Sequence, residues 1–397
     1  MREMKDSGIE WIGEIPKEWN IIPTKYCFTV NNGSDPTTND GDTPVYGSGS
    51  KSFKTCIEFK EGPTVLLGRK GTVNIPQWID GRYWNVDTAF DVKPKGNYSL
   101  KFFYYTAICF DYENYSTQTA LPSMTQGNYL NIKLPYMSLS DQYRIVNFLD
   151  AKCAEIDALT ADIQTQIDIL EQYKRSVITE AVTKGLNPDV EMKDSGLKWI
   201  GKIPSSWNVM PNKYLMKKKK VICQVYNGED ILSLTMKGVI VRDLDAGGKM
   251  PTSFDGYQRL EPGNLLMCLF DIDVTPRCIG LIKQAGLSSP AYSQFELNGM
   301  GNAEYYCYYY TMLDNDKTLL HLAKNLRHSL TEDQLGAISV IVPPVQEQKI
   351  IADFLDAKCE EIDKVIAAKI EQLAIVDEYK KSLIYEYVTG KKEVPAI

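Results

Sequence analysis

The sequence predicts an α+β chain: two mixed α/β domains separated by a long two-helix antiparallel coiled coil, with a pseudo-twofold internal repeat. Three observations predict it. Met4–Tyr26 (MKDSGIEWIGEIPKEWNIIPTKY) returns as Met192–Tyr214 (MKDSGLKWIGKIPSSWNVMPNKY), identical at 15 of 23 positions at an offset of 188. Asp141–Thr183 matches Glu347–Thr389 at 21 of 43 positions without a gap, at an offset of 206, with FLDAKC in both copies. The middles between these frames do not resemble each other, and the second is 18 residues longer. The implied division is a first domain at 1–139, a first helix at 140–185, a second domain at 186–344, and a second helix with its tail at 345–397. Like frames around unlike middles suggest one scaffold carrying two different heads.

At 397 residues the chain can form two or three domains, each burying its own core. A hydrophobic content of 44% with 24% charged residues is ordinary for a globular protein. The start, MREMKDSG, lacks the apolar stretch of a secretion signal, and no apolar run approaches the ~20 residues of a membrane helix. Nine cysteines include no CxxC pair, and Cys153 and Cys359 occupy equivalent repeat positions, which suggests packing. The expectation is a reduced, cytoplasmic protein. The net charge of −7 argues against a uniformly basic surface. Six of the seven excess negative charges fall on the helical tails, whereas the first middle balances 10 basic against 10 acidic groups and the second 13 against 14. Basic faces on the middles therefore stay open.

The helices follow from periodicity. Leu149, Ile156, Ile163, Leu170 and Val177 form one column at spacing seven; Cys153, Thr160, Ile167, Lys174 and Ala181 form the second. In the second tail the columns are Leu355, Ile362, Val376 and Leu383, interrupted by Lys369, and Cys359, Ile366, Leu373, Lys380 and Tyr387. Lys174 and Lys380 are equivalent polar interruptions, suited to fixing register at some cost in stability. Pro344 fits a first helical turn, and Gly185 and Gly390 fit C-terminal stops. Each helix is then ~43 residues, or about 65 Å. A homodimeric coiled coil competes, but matching seams within one chain favour intramolecular antiparallel pairing, with the two heads at opposite ends of a rod.

Both middles read as short strands with many turns. In the first, Thr64–Leu67 is strand-like and runs into Gly68-Arg69-Lys70-Gly71. Two cations between glycines suit a phosphate or base-edge contact, although a solvated turn gives the same pattern. Lys51 and Lys54 sit on the Gly/Ser-rich segment GSGSKSFK. In the second middle, Lys217 and Lys218 open a run of four lysines, and Arg242, Lys249, Arg259, Arg277 and Lys283 flank strand-like runs such as Leu265–Phe270 and Ile279–Ile282. These eleven cations are the candidate DNA contacts. Tyr305–Tyr310 (YYCYYY) reads as a strand with one buried face; base stacking by these rings is the less favoured alternative.

No catalytic constellation is legible. His321 and His328, the two histidines, have no metal-type partner nearby in sequence. Neither a phosphate loop nor a GxGxxG turn occurs, and Pro343-Pro344 lies in IVPPVQ, unlike the Asn-Pro-Pro-aromatic run of adenine methyltransferases. Pro188–Lys193 only superficially matches a nuclease signature, because its carboxylates are two residues apart. The residues point to a binding and assembly subunit.

The whole chain resembles the specificity (S) subunits of type I restriction–modification systems. The resemblance rests on MKDSG-x2-WIG-x-IP in both copies, on TKGLNPDVEMKDSG at Thr183–Gly196, and on Pro343-Pro344-Val345-Gln346-Glu347-Gln348 leading into FLDAKCEEID. SDQYRIVNFLD departs from the family's usual proline pair and Glu-Gln in the first half, and LLGRKG and GLSSPAY resemble recurrent pieces of recognition domains. The resemblance implies a non-catalytic subunit with two target-recognition domains, each reading one half of a split, asymmetric DNA target. It implies two adenine-N6 methyltransferase (M) subunits held by the helices, with restriction (R) subunits joining them. S-adenosylmethionine, ATP and Mg would belong to those partners, and no cofactor, metal or catalytic residue to this chain. A stand-alone two-headed DNA-binding regulator is the alternative.

Overall fold

A computed structural model of the chain describes residues 2–117, 119–245, 251, 253–275, 277–322 and 329–395. The chain is mixed α/β with two long helices, Leu139–Lys184 and Val345–Val388. At 46 and 44 residues, both slightly exceed the expected length. Gly185 and Gly390 follow them in the left-handed region, at φ 75° and 74°, where glycine carries no Cβ penalty. Two compact units divide the residues: Met1–Thr165 with Ile370–Ile397, and Gln166–Lys369.

In the first unit the opening segment folds into a hairpin, Met4–Asp6 against Glu14–Pro16. Asp6 Oδ1 accepts the Gly8 N–H at 2.9 Å, holding the chain as it leaves the first strand. Ile12, Ile15 and Trp19 then fall on the buried side. Asn20–Pro23 pairs antiparallel with Lys133–Tyr136. Behind it lies an antiparallel sheet in the order Phe28–Asn32, Ala89–Pro94, Thr64–Gly68, Gln77–Ile79. The helix Leu100–Ile108, capped by Ser99, brings Phe103 to 4.4 Å from the Phe28 ring. A second, mixed sheet comprises Lys54–Cys56, Thr43–Tyr46, Arg82–Asn85 and Lys60–Glu61.

Val146, Leu149, Cys153 and Ile156 from the first long helix share this unit's core with Leu383, Ile384, Tyr387 and Val388 from the second. Lys380 Nζ reaches Asp157 Oδ1 at 2.6 Å. A Cβ at Gly390 would lie 2.6 Å from Pro16 Cγ and 2.9 Å from the Trp19 ring, so close packing as well as φ requires glycine there.

The second unit repeats the frame. Met192–Asp194 pairs with Lys202–Pro204, Asp194 caps Gly196 at 2.9 Å, and Trp207 is fully buried. Asn208–Pro211 pairs with Ser339–Val342. The antiparallel sheet runs Met216–Lys219, Ser293–Leu297, Leu265–Met267, Ile279–Leu281. Beside it stand Leu232–Thr235 with Gly238–Val241, and Gln258–Leu260 with Gly286–Ser288, the latter bracketing the central strands in sequence as Lys60–Glu61 with Arg82–Asn85 does in the first unit. Lys174 Nζ bonds Asp363 at 2.6 Å.

A pair of buried glutamines ties helix to head in each unit. Gln142 accepts the Ser99 N–H at 2.7 Å and donates to the Met137 carbonyl at 3.1 Å. Gln348 accepts the Asn302 N–H at 2.7 Å and donates to the Pro343 carbonyl at 2.8 Å. Neither side chain touches solvent. Removing either would leave buried backbone groups unpaired, at about 1–3 kcal/mol each.

The expected seam positions are shielded from solvent to different degrees. Leu149, Ile156, Ile163, Leu355, Ile362 and Leu383 are buried, and Leu170, Val177 and Val376 are half-buried. One expectation fails. Tyr305–Tyr310 lies within a helix, Ala303–Asn315, capped by the Asn302 side chain. Tyr305, Tyr306, Tyr309 and Tyr310 are all fully buried, a spacing that belongs to one helix face and not to a strand. Aromatic β-propensity suggested a strand; burial against the sheet overrides it. Leu265–Phe270 is also shorter than expected, since its strand ends at Met267.

Candidate nucleic-acid interface

The strand Thr64–Gly68 is buried along its whole length and delivers the chain into a tight turn. A Cβ at Gly68 would lie 2.2 Å from the Thr72 carbonyl oxygen, so the turn closes only around glycine. Gly71 takes φ 81°. Between them, Arg69 donates its N–H to Thr88 at 2.7 Å and accepts from Met124 at 2.9 Å, while Gly71 donates to Pro122 at 2.9 Å. The Arg69 guanidinium reaches the Asp87 carbonyl at 3.3 Å. Lys70 is exposed and bridges Ser123 through its backbone. Backbone bonds thus fix the turn, leaving Lys70 presented to solvent and Arg69 half-buried.

The Gly/Ser segment closes on this turn: a Cβ at Gly71 would sit 3.6 Å from Ser48 Oγ. Lys51, on the same segment, is exposed. Lys54 bonds Asn39 Oδ1 at 3.3 Å and lies 5.8 Å from the Phe53 ring centre. The structure therefore gathers the Gly/Ser segment and the Arg69-Lys70 turn.

The second unit disperses its candidates. Lys217 is exposed on the strand Met216–Lys219. Lys218 is engaged by Glu332, and its neighbour Lys219 by Glu261 at 2.5 Å. Arg259 pairs with Glu229 at 2.9 Å. The Glu229 carboxyl is held below its usual range mainly by the Asn227 backbone N–H, with Arg259 adding to the effect. Arg242 is half-buried and its N–H bonds the Ile231 carbonyl at 2.7 Å. Arg277 lies 3.8 Å from buried Asp314 and bonds Asn315 Oδ1 at 3.2 Å. With Lys283 it lines a cleft of about 900 Å3, which Lys174, Glu304, Tyr308 and Asp356 also border. Lys249 and His328 lie outside the described residues.

Sequence reasoning missed the second unit's counterpart of the Arg69-Lys70 turn. In the first sheet Phe28 faces Pro94 and Val92 faces Val65; in the second Met216 faces Leu297 and Phe295 faces Leu265. Following these registers from the shared turns Thr24–Tyr26 and Asn212–Tyr214, Arg69 corresponds to Leu269 and Gly71 to Asp271. Met124 donates to the Arg69 carbonyl, and Leu330 to the Leu269 carbonyl at 2.8 Å. Asp271 takes φ 47°, in the left-handed region where Gly71 also lies. The available signal was the apolar triplet before each turn, Val65-Leu66-Leu67 and Leu265-Leu266-Met267.

Burial pushes the Cys27 thiol up to about 11 and the Cys278 thiol up to about 12, so these cysteines pack and stay protonated. Among the described residues no group of three or more histidine, cysteine, aspartate or glutamate side chains could hold a metal ion. No helix among them is long and apolar enough to cross a membrane.

A putative type I restriction enzyme MjaX specificity subunit of Methanocaldococcus jannaschii is 24% identical over 289 residues, covering 68% of this chain and 62% of that protein. The type I restriction enzyme MjaVIII specificity subunit of the same organism is 23% identical over 292 residues, covering 70% and 66%. The matched stretches thus span less than two thirds of either relative's own length. A solved chain from work on complex assembly and conformational transition of the type I R-M system shares the fold, with a TM-score of 0.66 at 14% identity over 95% of this chain and 99% of that one. The family model for the type I restriction modification DNA specificity domain matches residues 16–168 and 291–372, more than half of the sequence, and the chain belongs to that family.

Proposed function

We propose that the chain is the sequence-specific DNA-binding subunit of a type I restriction–modification complex, recognising a split, asymmetric target. The observation that carries this reading is the duplicated frame around unlike heads. One backbone turn leaves the same point of both central sheets and bears different side chains in each. Such an arrangement binds two different half-sites with one architecture. Residues 1–139 and 186–344 act as the two target-recognition domains, and 140–185 and 345–397 as the helical spacer.

The helices pair as an antiparallel coiled coil with pseudo-twofold symmetry. This reading is supported by Lys380 bonding Asp157 in one unit and Lys174 bonding Asp363 in the other. All four residues obey the 206-residue repeat offset. In the complex the helices hold two adenine-N6 methyltransferase subunits, and restriction subunits join them. The chain itself supplies recognition and no catalysis; S-adenosylmethionine, ATP and Mg act in the partners. The working compartment is the cytoplasm.

The experiment is co-expression with a type I methyltransferase subunit, followed by sequencing of modified adenines in host DNA. A two-part motif with a fixed spacer is the expected result. Methyl transfer by the purified chain alone would refute the non-catalytic assignment. Sequence-specific binding without any methyltransferase co-purifying would favour the stand-alone regulator.

A further inference from the structure

The segment Leu269–Thr275 occupies the place of the Arg69-Lys70 turn but carries no lysine or arginine. Two nearby cations are committed to its scaffold. Lys317 Nζ donates to the carbonyls of Ile272 at 3.3 Å and Thr275 at 3.1 Å, and bonds Asp314 Oδ1 at 3.1 Å. Arg277 is held by Asn315 and Asp314, and Asp314 also accepts the Cys278 N–H at 2.9 Å. Thr275 and Val274 both donate to the Asp271 carbonyl, at 2.9 and 3.2 Å. Leu269 and Ile272 point into the core.

Outward stand an apolar pair and two carboxylates, Asp271 and Asp273. Phe270 is 37% exposed, and its ring lies 16° from parallel to Tyr292 at 6.1 Å. Val274 is 74% exposed, and Asp271 is exposed beside them. This combination repels phosphate, so the segment gains nothing from the DNA backbone. The apolar pair matches the C5-methyl group of thymine in the major groove, and the carboxylate matches an exocyclic amino donor such as that of cytosine.

We propose that Leu269–Thr275 is the second head's base-reading segment and that Phe270 and Val274 recognise a thymine methyl group, with Asp271 accepting from a neighbouring base's exocyclic amino group. The inference rests on the DNA-recognition reading above. It assigns the two heads opposite chemistries at one structural position: cationic donors for guanine edges or phosphates in the first, an apolar methyl contact in the second.

The test uses the chain in complex with its methyltransferase subunits. A target is selected from random-sequence duplexes and resynthesised with deoxyuridine replacing thymine, which removes only the methyl group, in one half-site at a time. The expected result is about fourfold weaker binding when the critical thymine of one half-site is replaced, the value of one shielded methyl group. In Phe270→Ala, the preference for thymine over uracil should fall at that half-site. Val274→Ser, at a position too exposed to disturb folding, should diminish the discrimination. The assignment is overturned if the wild-type complex binds uracil and thymine targets alike, or if both variants keep full discrimination. A wild-type complex that selects no sequence at all would instead sink the DNA-recognition reading, and this assignment with it.

Discussion

The turn at Gly68–Gly71 and the segment at Cys268–Asp271 leave equivalent sheets at equivalent points, yet one offers an arginine and a lysine and the other a phenylalanine and an aspartate. What they share is backbone: a left-handed residue at Gly71 and Asp271, and a carbonyl at Arg69 and Leu269 accepting from the strand-like return at Met124 and Leu330. The comparison teaches that the frame specifies where a side chain is presented and leaves its chemistry free. Buried hydrogen bonds such as those of Gln142 and Gln348 hold the frame constant while the exposed tips diverge.

The largest expected effect tests whether the frames are energetically equal. Trp19→Ala and Trp207→Ala should each destabilise by about 3–5 kcal/mol in chemical denaturation, and a mild cost at either would break the equivalence. Phenylalanine sharpens it. The Trp207 indole donates to Glu347 at 3.0 Å, whereas the Trp19 indole N–H is buried without a partner. Trp207→Phe should therefore cost more than Trp19→Phe by about 1.5–3 kcal/mol, the worth of a bond to a charged group.

A salt titration compares the tips. Arg69→Ala and Lys70→Ala should each flatten the slope of log affinity against log salt by about 0.9 for every phosphate left without its cation. Phe270→Ala should weaken binding with the slope unchanged. Equal slope changes in both units would erase the chemical distinction.

Smaller still are the seam lysines. Lys174→Leu and Lys380→Leu remove partly exposed ion pairs worth about 0–1 kcal/mol and replace them with apolar seam residues. Both should unfold within about 1 kcal/mol of wild type, and a large loss in only one would show that the pairs are unequal.

The smallest effect is on pH. The Thr37 and Thr38 hydroxyls hold the Glu58 carboxyl down to about 2. A carboxyl depressed by folding stabilises the native state above its ordinary value of about 4.3 and loses that contribution as pH falls towards the folded value. Protection of the amides around 37–58, relative to their intrinsic exchange rate, should therefore fall between about pH 4 and 2. A Thr37→Ala/Thr38→Ala variant should lack this transition.

What the sequence revealed follows the range of the interactions involved. The long helices were legible because a seven-residue period and glycine stops are local, and the repeat doubled the signal. The fate of Lys218 and Arg259 was not, because their partners Glu332 and Glu229 lie 114 and 30 residues away and nothing local marks them. The Tyr305–Tyr310 helix was misread because ring-bearing residues favour strands on average, while Asn302, three residues before Tyr305, was the overlooked cap. The Phe270 tip escaped a search for cations because its chemistry is the opposite of the one sought.

The discontinuity of the first unit has a consequence for synthesis. Lys391 donates to the Ile12 carbonyl at 2.5 Å across 379 residues of chain, whereas the second unit is one uninterrupted stretch, Gln166–Lys369. At roughly 5–20 residues per second, the ribosome takes roughly 20–75 seconds to deliver the partner that Ile12 awaits. The second unit has all its residues first. During that interval Ile12, Ile15 and Trp19 lack the helix end that packs against their hairpin, so the nascent chain's window of aggregation and chaperone dependence falls on this hairpin.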